Sequence, residues 1–362
     1  MRACFFGAWD PAYPRNRILR EGLRRAGGEV IEVRTRARRA LRRWPELAFG
    51  FLRAGRDADV IVVPEFRHKD VPLAHRLKRG RRLVFDPLVS RYDTLVRDWK
   101  LHREGSPQAR WNLELDRWSL SLADAVLCDT WAHGALYHAL GVRRERLFRV
   151  LVGAEDAFFS VAPPAASGPL RIVYVGGFLP LHGTPVIVEA IARLEREAKR
   201  LPEFRVEMVG TGIEWKVARG LAERAKLERI DFPGRTDYAD SPRVIAEAHI
   251  LLGAFGAGAK AGRVIPHKVY QGVAAGRAVI TGAGAGLAEV FESGTHLLAV
   301  PRNDAVSLAE ALATLLREPS TRERLAACGR GRALEVATPE KVGVRFRDAL
   351  EGVGGGLPGN AA

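Results

Sequence analysis

Four residues able to carry positive charge fall within nine positions: Lys260, Arg263, His267 and Lys268. They surround a glycine- and alanine-rich loop, GAGAKAG, that leaves the apolar stretch HILLGAFG beginning at His249. Pro266 stands where a helix would begin, its fixed φ and missing N–H suiting a first helical position. Val269, Val273 and Ala274 recur at helical spacing, and Gly276 closes the element before the strand-like AVIT. A glycine loop that delivers a helix N-terminus at a strand end points unpaired amides and the positive end of the helix dipole the same way. Such joints occur in every α/β domain and most bind nothing. The basic residues crowded at this one turn the expectation towards phosphate.

The elements that must position this joint alternate along the chain. RACFFG, EVIEV, DVIVV, RLVF, AVLC and LFRVL read as strands separated by helical patterns. SVAPPAASGP (160–169) interrupts the alternation, which restarts with RIVYVG, FRVEMVG, RIDF, the joint above and HLLAV. This predicts an α/β fold class: two doubly wound parallel-sheet domains. We expect residues 1–160 as one domain, 161–169 as linker, 170–337 as the second domain and 352–362 as a disordered tail. Ligands of such sheets bind at the carboxyl ends of strands. In the first half Glu65, His68, Asp70, Asp86, Arg91 and Asp93 all fall just after strands. The loop after the first strand has no dinucleotide fingerprint.

The chain carries a formal net charge of +15. Residues 1–160 hold 31 Lys and Arg against 20 Asp and Glu, so most of the excess lies in the first half. That points to an anionic partner. Eight of the arginines lie between 34 and 56, facing the single acid Glu46. Ala37, Ala40, Leu41, Trp44, Leu47, Ala48, Phe51 and Leu52 recur there at i, i+3, i+4, i+7, with Pro45 as a kink. Two readings stand: an ordinary amphipathic helix with a solvated basic face, or attachment of residues 36–53 to an anionic membrane surface. No apolar run is long enough to span a bilayer as a helix. Cys4, Cys128 and Cys328 are few and scattered, which predicts no zinc site and a reducing cytoplasm. The expected localisation is cytoplasmic, with the inner face of the plasma membrane as a peripheral site.

The second half resembles the donor domain of retaining GT-B glycosyltransferases, family 4. The resemblance rests on five landmarks in order: VYVGGFLPLHGTPVIVEAIARL, VEMVGTGIEW, IDFPGR, VIPHKVYQGVAAGRAVIT and GLAEVFESGTHLLAV. ADAVLCDTWAHGALYHALGV and VLVGAEDAFF resemble the end of the acceptor domain more loosely. The resemblance implies two Rossmann-like domains facing across a cleft, with the helix at 338–351 returning to the first. It implies transfer of a sugar from a nucleotide-diphosphate sugar to an acceptor, with retained configuration, no cofactor and no metal. The donor diphosphate would be held by Gly177, Lys260, Arg263 and Lys268, and the ribose by Gln271. His182 would approach phosphates or sugar from the facing loop. Asp86, where the family often has a histidine, would orient or deprotonate the acceptor hydroxyl. Two departures stand out: Arg263 and Gln271 occupy the places of the family's paired glutamates, and Gly177 and His182 those of its usual Arg and Lys. A GT-B sugar-nucleotide epimerase and a non-enzymatic protein binding acidic polymer are the alternatives. No nucleic-acid module is recognisable, and the few aromatics are not interleaved with the basic run, so nucleic acid is not an expected partner.

Overall fold

The structure is a computed structural model, described here for residues 1–37 and 39–359. Two compact units form, residues 1–152 with 339–362, and residues 153–338. The first is built on β1 (Arg2–Gly7), β2 (Glu29–Arg34), β3 (Val60–Val63), β4 (Arg82–Phe85), β5 (Ala125–Cys128) and β6 (Leu147–Arg149). All pair in parallel, in the order β2-β1-β3-β4-β5-β6. The strands are continuous apolar runs because both faces are covered, as parallel sheets require. Cys4, Phe6, Ile61 and Val63 point into one core, under the helices Ala40–Gly50, Val71–Leu77, Pro107–Leu122 and Trp131–Ala139. Ala3, Phe5, Val60 and Val62 point into the other, with Leu19, Leu23, Val342 and Phe346.

The last two of those come from the helix Pro339–Glu351, which lies on the first unit against the helix Pro14–Arg25. The two helices meet backbone to backbone at Gly22 and Gly343, where a Cβ on either glycine would overlap the backbone of the other helix. Only glycine allows this approach.

The second unit repeats the plan with β7 (Leu170–Val175), β8 (Phe204–Val209), β9 (Ile230–Gly234), β10 (Ile250–Leu252), β11 (Ala278–Gly282) and β12 (Leu298–Val300). These too are parallel, ordered β12-β11-β10-β7-β8-β9. The sequence therefore reads correctly as two doubly wound α/β sheets.

Three local expectations change. Residues 153–169 all belong to the second unit, because Phe158 is buried there and His249 Nε2 (3.0 Å) and the Arg277 guanidinium bind the carbonyls of Ala165 and Ala162. Composition showed a linker; it could not show those carbonyls being held. Residues 352–359 are not a disordered tail. Gly356 N donates to Leu147 O (2.9 Å) and Leu357 is buried beneath the sheet, a single apolar anchor among glycines. The rest of that tail, 360–362, lies outside the described residues.

The arginine-rich stretch also differs from one continuous stripe. A helix Ala40–Gly50 runs into a π-helical turn, Phe51–Gly55. Leu47 and Phe51 are buried, and Arg43 is buried with Nε 2.9 Å from Asp70 Oδ1. Leu41 (93% exposed), Phe49 (67%) and Leu52 instead face outward, so the apolar residues divide between two faces. Arg38, within the same stretch, lies outside the described residues.

Candidate functional site

In the second unit β7 and β10 are neighbours, so the loops leaving their carboxyl ends emerge side by side. Phe255 N donates to His182 O (2.9 Å) and Gly256 N to Leu181 O (3.1 Å), which ties the two loops together. A Cβ at Gly183 would lie 2.7 Å from Gly256 N, so the glycines serve this close approach of backbones. The loop after β10 passes through the short helix Ala259–Arg263 to Pro266, which caps the helix His267–Ala274 from just outside it.

Lys268, in the first turn of that helix, is only 5% exposed. Its ammonium lies 3.6 Å from the centre of the Tyr174 ring and has no hydrogen-bond partner. A Cβ on Gly176 would stand 3.1 Å from Nζ, so glycine there leaves room for the lysine. Burial alone pushes the Lys268 pKa well below its ordinary value. An ammonium taken out of water without a counter-charge is costly, and an anion bound beside it would reverse the penalty.

His182 lies on the facing loop. Its Nδ1 and the Tyr174 hydroxyl both reach the Gly177 carbonyl, and they lie 2.9 Å from one another. A carbonyl only accepts, so the proton sits on Nδ1 and Nε2 presents a lone pair. Burial, then the charge of Lys268, hold His182 well below its usual pKa, so the ring is neutral. A neutral acceptor suits a hydroxyl better than a phosphate. Gly177 contributes a carbonyl to this arrangement, which orients the ring.

Lys260 is buried in the helix Ala259–Arg263, close enough to depress His182, and Arg263 is half-buried at that helix's end. A cation that sequence reasoning missed joins them: Arg302 Nη1 donates to Gly258 O (2.6 Å), with its guanidinium against Gly262. Its position just after β12 was the available signal. Gln271 is brought to the same helix but its Nε2 donates to the Tyr238 hydroxyl (2.9 Å), which in turn donates to the Glu155 carboxylate. Only its Oε1 is left to accept from a ligand.

Asp86 requires a correction. Arg15 grips both its oxygens, Nε to Oδ2 at 2.9 Å and Nη2 to Oδ1 at 3.3 Å, and both side chains are fully buried. Arg15 also donates to the carbonyls of Val150 and Leu151. A carboxylate so engaged is a structural counter-ion and not a free base. Of the other strand-end candidates, Asp70 pairs with Arg43, and His68 Nε2 lies 3.2 Å from Asp116. Burial drives the His68 pKa down to about 3. Glu65 is different: it is buried, its Oε2 has no partner, and burial above all, with the nearby Asp86 charge, raises its pKa to about 8.

Comparison with known proteins follows the same division. A family model described as Glycosyl transferases group 1 matches residues 169–318, and one described as Glycosyl transferase 4-like domain matches residues 4–153. Each unit thus matches a glycosyltransferase family model, and the fold is that of the GT-B class. The chain is 28% identical over 190 residues to an Escherichia coli (strain K12) protein named as a colanic acid biosynthesis glycosyltransferase, WcaL. That match covers 52% of this chain and 46% of that protein, so the chain spans about half the length of the curated relatives it matches. Its fold is similar to Anabaena HepE crystallised with UDP (TM-score 0.71, 15% identity, 97% of this chain and 100% of that one). It is equally similar to sucrose-phosphate synthase of Thermosynechococcus elongatus (TM-score 0.71, 16% identity, 96% and 97%). Among the described residues no helix is long and apolar enough to cross a membrane, and no cluster of His, Cys, Asp and Glu has the makings of a metal site.

Proposed function

We propose that this enzyme moves a sugar from a nucleotide-diphosphate sugar to its acceptor with retention of configuration, as a member of family 4. The observation that carries the reading is Lys268: a buried ammonium without a counter-charge, at a helix N-terminus, on a loop joint with Lys260, Arg263 and Arg302. A diphosphate supplies the missing negative charge. Leaving-group charge grows in the transition state, so these cations lower the barrier more than they tighten the ground state. His182, neutral with Nε2 as acceptor, takes a hydrogen bond from a sugar hydroxyl. Gln271 Oε1 takes one from the ribose. Relatives in fold that hold UDP and UDP-glucose support a nucleotide-sugar donor. No divalent cation is needed on this reading, and a chelator leaves turnover unchanged.

The test measures UDP affinity and sugar transfer for Lys268→Ala and Arg263→Ala beside Arg322→Ala. Losing one charge-assisted hydrogen bond weakens binding roughly 10- to 150-fold, and turnover by more. If both variants match Arg322→Ala in both assays, the diphosphate is held elsewhere.

The cytoplasmic enzyme works, on this reading, at the inner face of the plasma membrane. The exposed Leu41, Phe49 and Leu52, together with the exposed Arg39, Arg42 and Arg53, form the attachment face. Each basic group near an anionic surface contributes roughly 1 kcal/mol. Flotation with phosphatidylglycerol vesicles should fall when Leu41 and Phe49 are both made serine. Unchanged flotation removes this face from consideration.

A further inference from the structure

The first unit contains a cavity of about 520 Å³ whose wall is cationic. It opens at the carboxyl ends of β1, β2 and β3, and β1 lies between the other two, where the strand order of the sheet reverses. That is where open α/β sheets hold ligands. Trp9, Asp10, Arg34, Arg36, Arg43 and Arg67 line it, four guanidinium groups against one carboxylate.

The charges are not balanced internally. Asp10 Oδ1 already accepts from Ala12 N (2.9 Å), and Arg43 is matched by Asp70. Arg34 has a distant partner in Glu32 (3.6 Å) and stacks over the Trp9 ring at 6.0 Å. Arg36 and Arg67 make no ion pair among the described residues; Arg67 lies within electrostatic reach of Asp70 and Glu65, yet its Nε is buried without a hydrogen-bond partner. Like charges gathered around one cavity repel each other, so an arrangement of this kind is stable chiefly when something anionic enters. Planar guanidinium forks suit phosphate oxygens, and several of them suit more than one negative charge. The cavity is anchored: Asp70 also accepts from Ala8 N (2.9 Å), fixing the turn after β1, while Trp9 is buried beneath Arg34.

We propose that the acceptor of this glycosyltransferase carries a phosphate or diphosphate ester, bound by Arg34, Arg36 and Arg67 in this cavity. The proposal rests on the transferase reading above, and concerns the substrate that receives the sugar. A lipid-linked diphosphate and a soluble sugar phosphate present the same chemistry to these arginines.

Titrating pyrophosphate into the full chain by calorimetry tests it. The wild type should bind two equivalents, one at Lys268 and one at the arginine cavity. The double variant Arg36→Ala/Arg67→Ala should lose one of them, its affinity falling about 10- to 100-fold, whereas Lys268→Ala should lose the other. Arg110→Ala, on an exposed helix face, should keep both. If the double variant keeps both sites, the proposal is overturned, whatever Lys268→Ala does. If the double variant loses a site and Lys268→Ala loses none, the proposal holds and the donor reading fails. Competition in the Lys268→Ala background then separates the sources. Tighter displacement by geranyl diphosphate identifies a lipid-linked acceptor, and tighter displacement by glucose 1-phosphate a soluble one. Displacement by neither overturns the phosphorylated acceptor.

Discussion

Lys268→Met isolates the charge at the donor joint from the bulk of the side chain. The replacement keeps an unbranched apolar stem over Tyr174 and removes the ammonium that lies 3.6 Å from the ring. In the unliganded protein two effects oppose each other. The cation–π contact is worth about 2 kcal/mol when desolvated, and it is lost. The desolvation penalty of an unpaired buried cation is several kcal/mol, and it is relieved. The second is larger, so the empty variant should be more stable than wild type by about 1–2 kcal/mol, a rise of roughly 2–4 °C in Tm. With UDP at 100 times the wild-type Kd, linkage stabilises the wild type by about 2.7 kcal/mol. If the variant binds about 100-fold more weakly, the same UDP adds only about 0.4 kcal/mol to it. Thermal denaturation with and without UDP should therefore show the order of the two proteins reversing.

The pH dependence has a definite sign. The folded-state pKa of Lys268 is depressed, so the unfolded chain takes up a proton first as pH falls from about 10.5. Stability of the empty wild type should fall over that window and the variant should lack this component. A variant that is less stable when empty and still responds fully to UDP would show that Lys268 is a packing residue, and the reasoning would be wrong.

Three other outcomes follow from buried groups. Asp86→Asn should destabilise the first unit by about 3–5 kcal/mol in urea denaturation, because Arg15 keeps its charge inside without a counter-ion; lost activity with unchanged stability would restore Asp86 as a catalytic group. Gly343→Ala should cost about 1–3 kcal/mol or more by forcing apart the helices that touch at Gly22, read as a lower Tm with unaltered KM below it. Glu65 has a raised folded-state pKa, so its contribution is complete below pH 4.5 and is lost as pH rises through about 8. Glu65→Gln should remove that loss, on the order of 5 kcal/mol at most, and a pH–stability profile identical to wild type between pH 5 and 9 would count against it.

What was legible in the sequence was local or periodic. The alternation of apolar runs with helical patterns gave both sheets, because a strand covered on two faces must be apolar throughout. The joint at residues 251–282 was readable for the same reason: strand, glycine loop, proline and helix are consecutive. What escaped were pairings across long separations. Arg15 and Asp86 are 71 residues apart, and nothing in RNRILREGLRR distinguishes the arginine that is fully buried from those that are solvated. Arg302 reaches Gly258 only because β12 lies two strands from β10.

The arginine-rich segment shows why periodicity alone misled. Hydrophobic spacing at i, i+3, i+4 identified a helix but put its apolar residues on a single stripe. The helix instead widens into a π-turn at Phe51–Gly55, with Leu47 and Phe51 packed beneath it and Leu41, Phe49 and Leu52 left outside. Arg43, placed by the pattern on the solvated side, is the one that Asp70 draws in. The same carboxylate holds the turn after β1, so a single buried aspartate sets both the end of that strand and the inner wall of the arginine cavity. The basic excess of the first half thus has two distinct structural destinations, a surface beside exposed apolar groups and a cavity at strand ends. Net charge by itself could not have separated them.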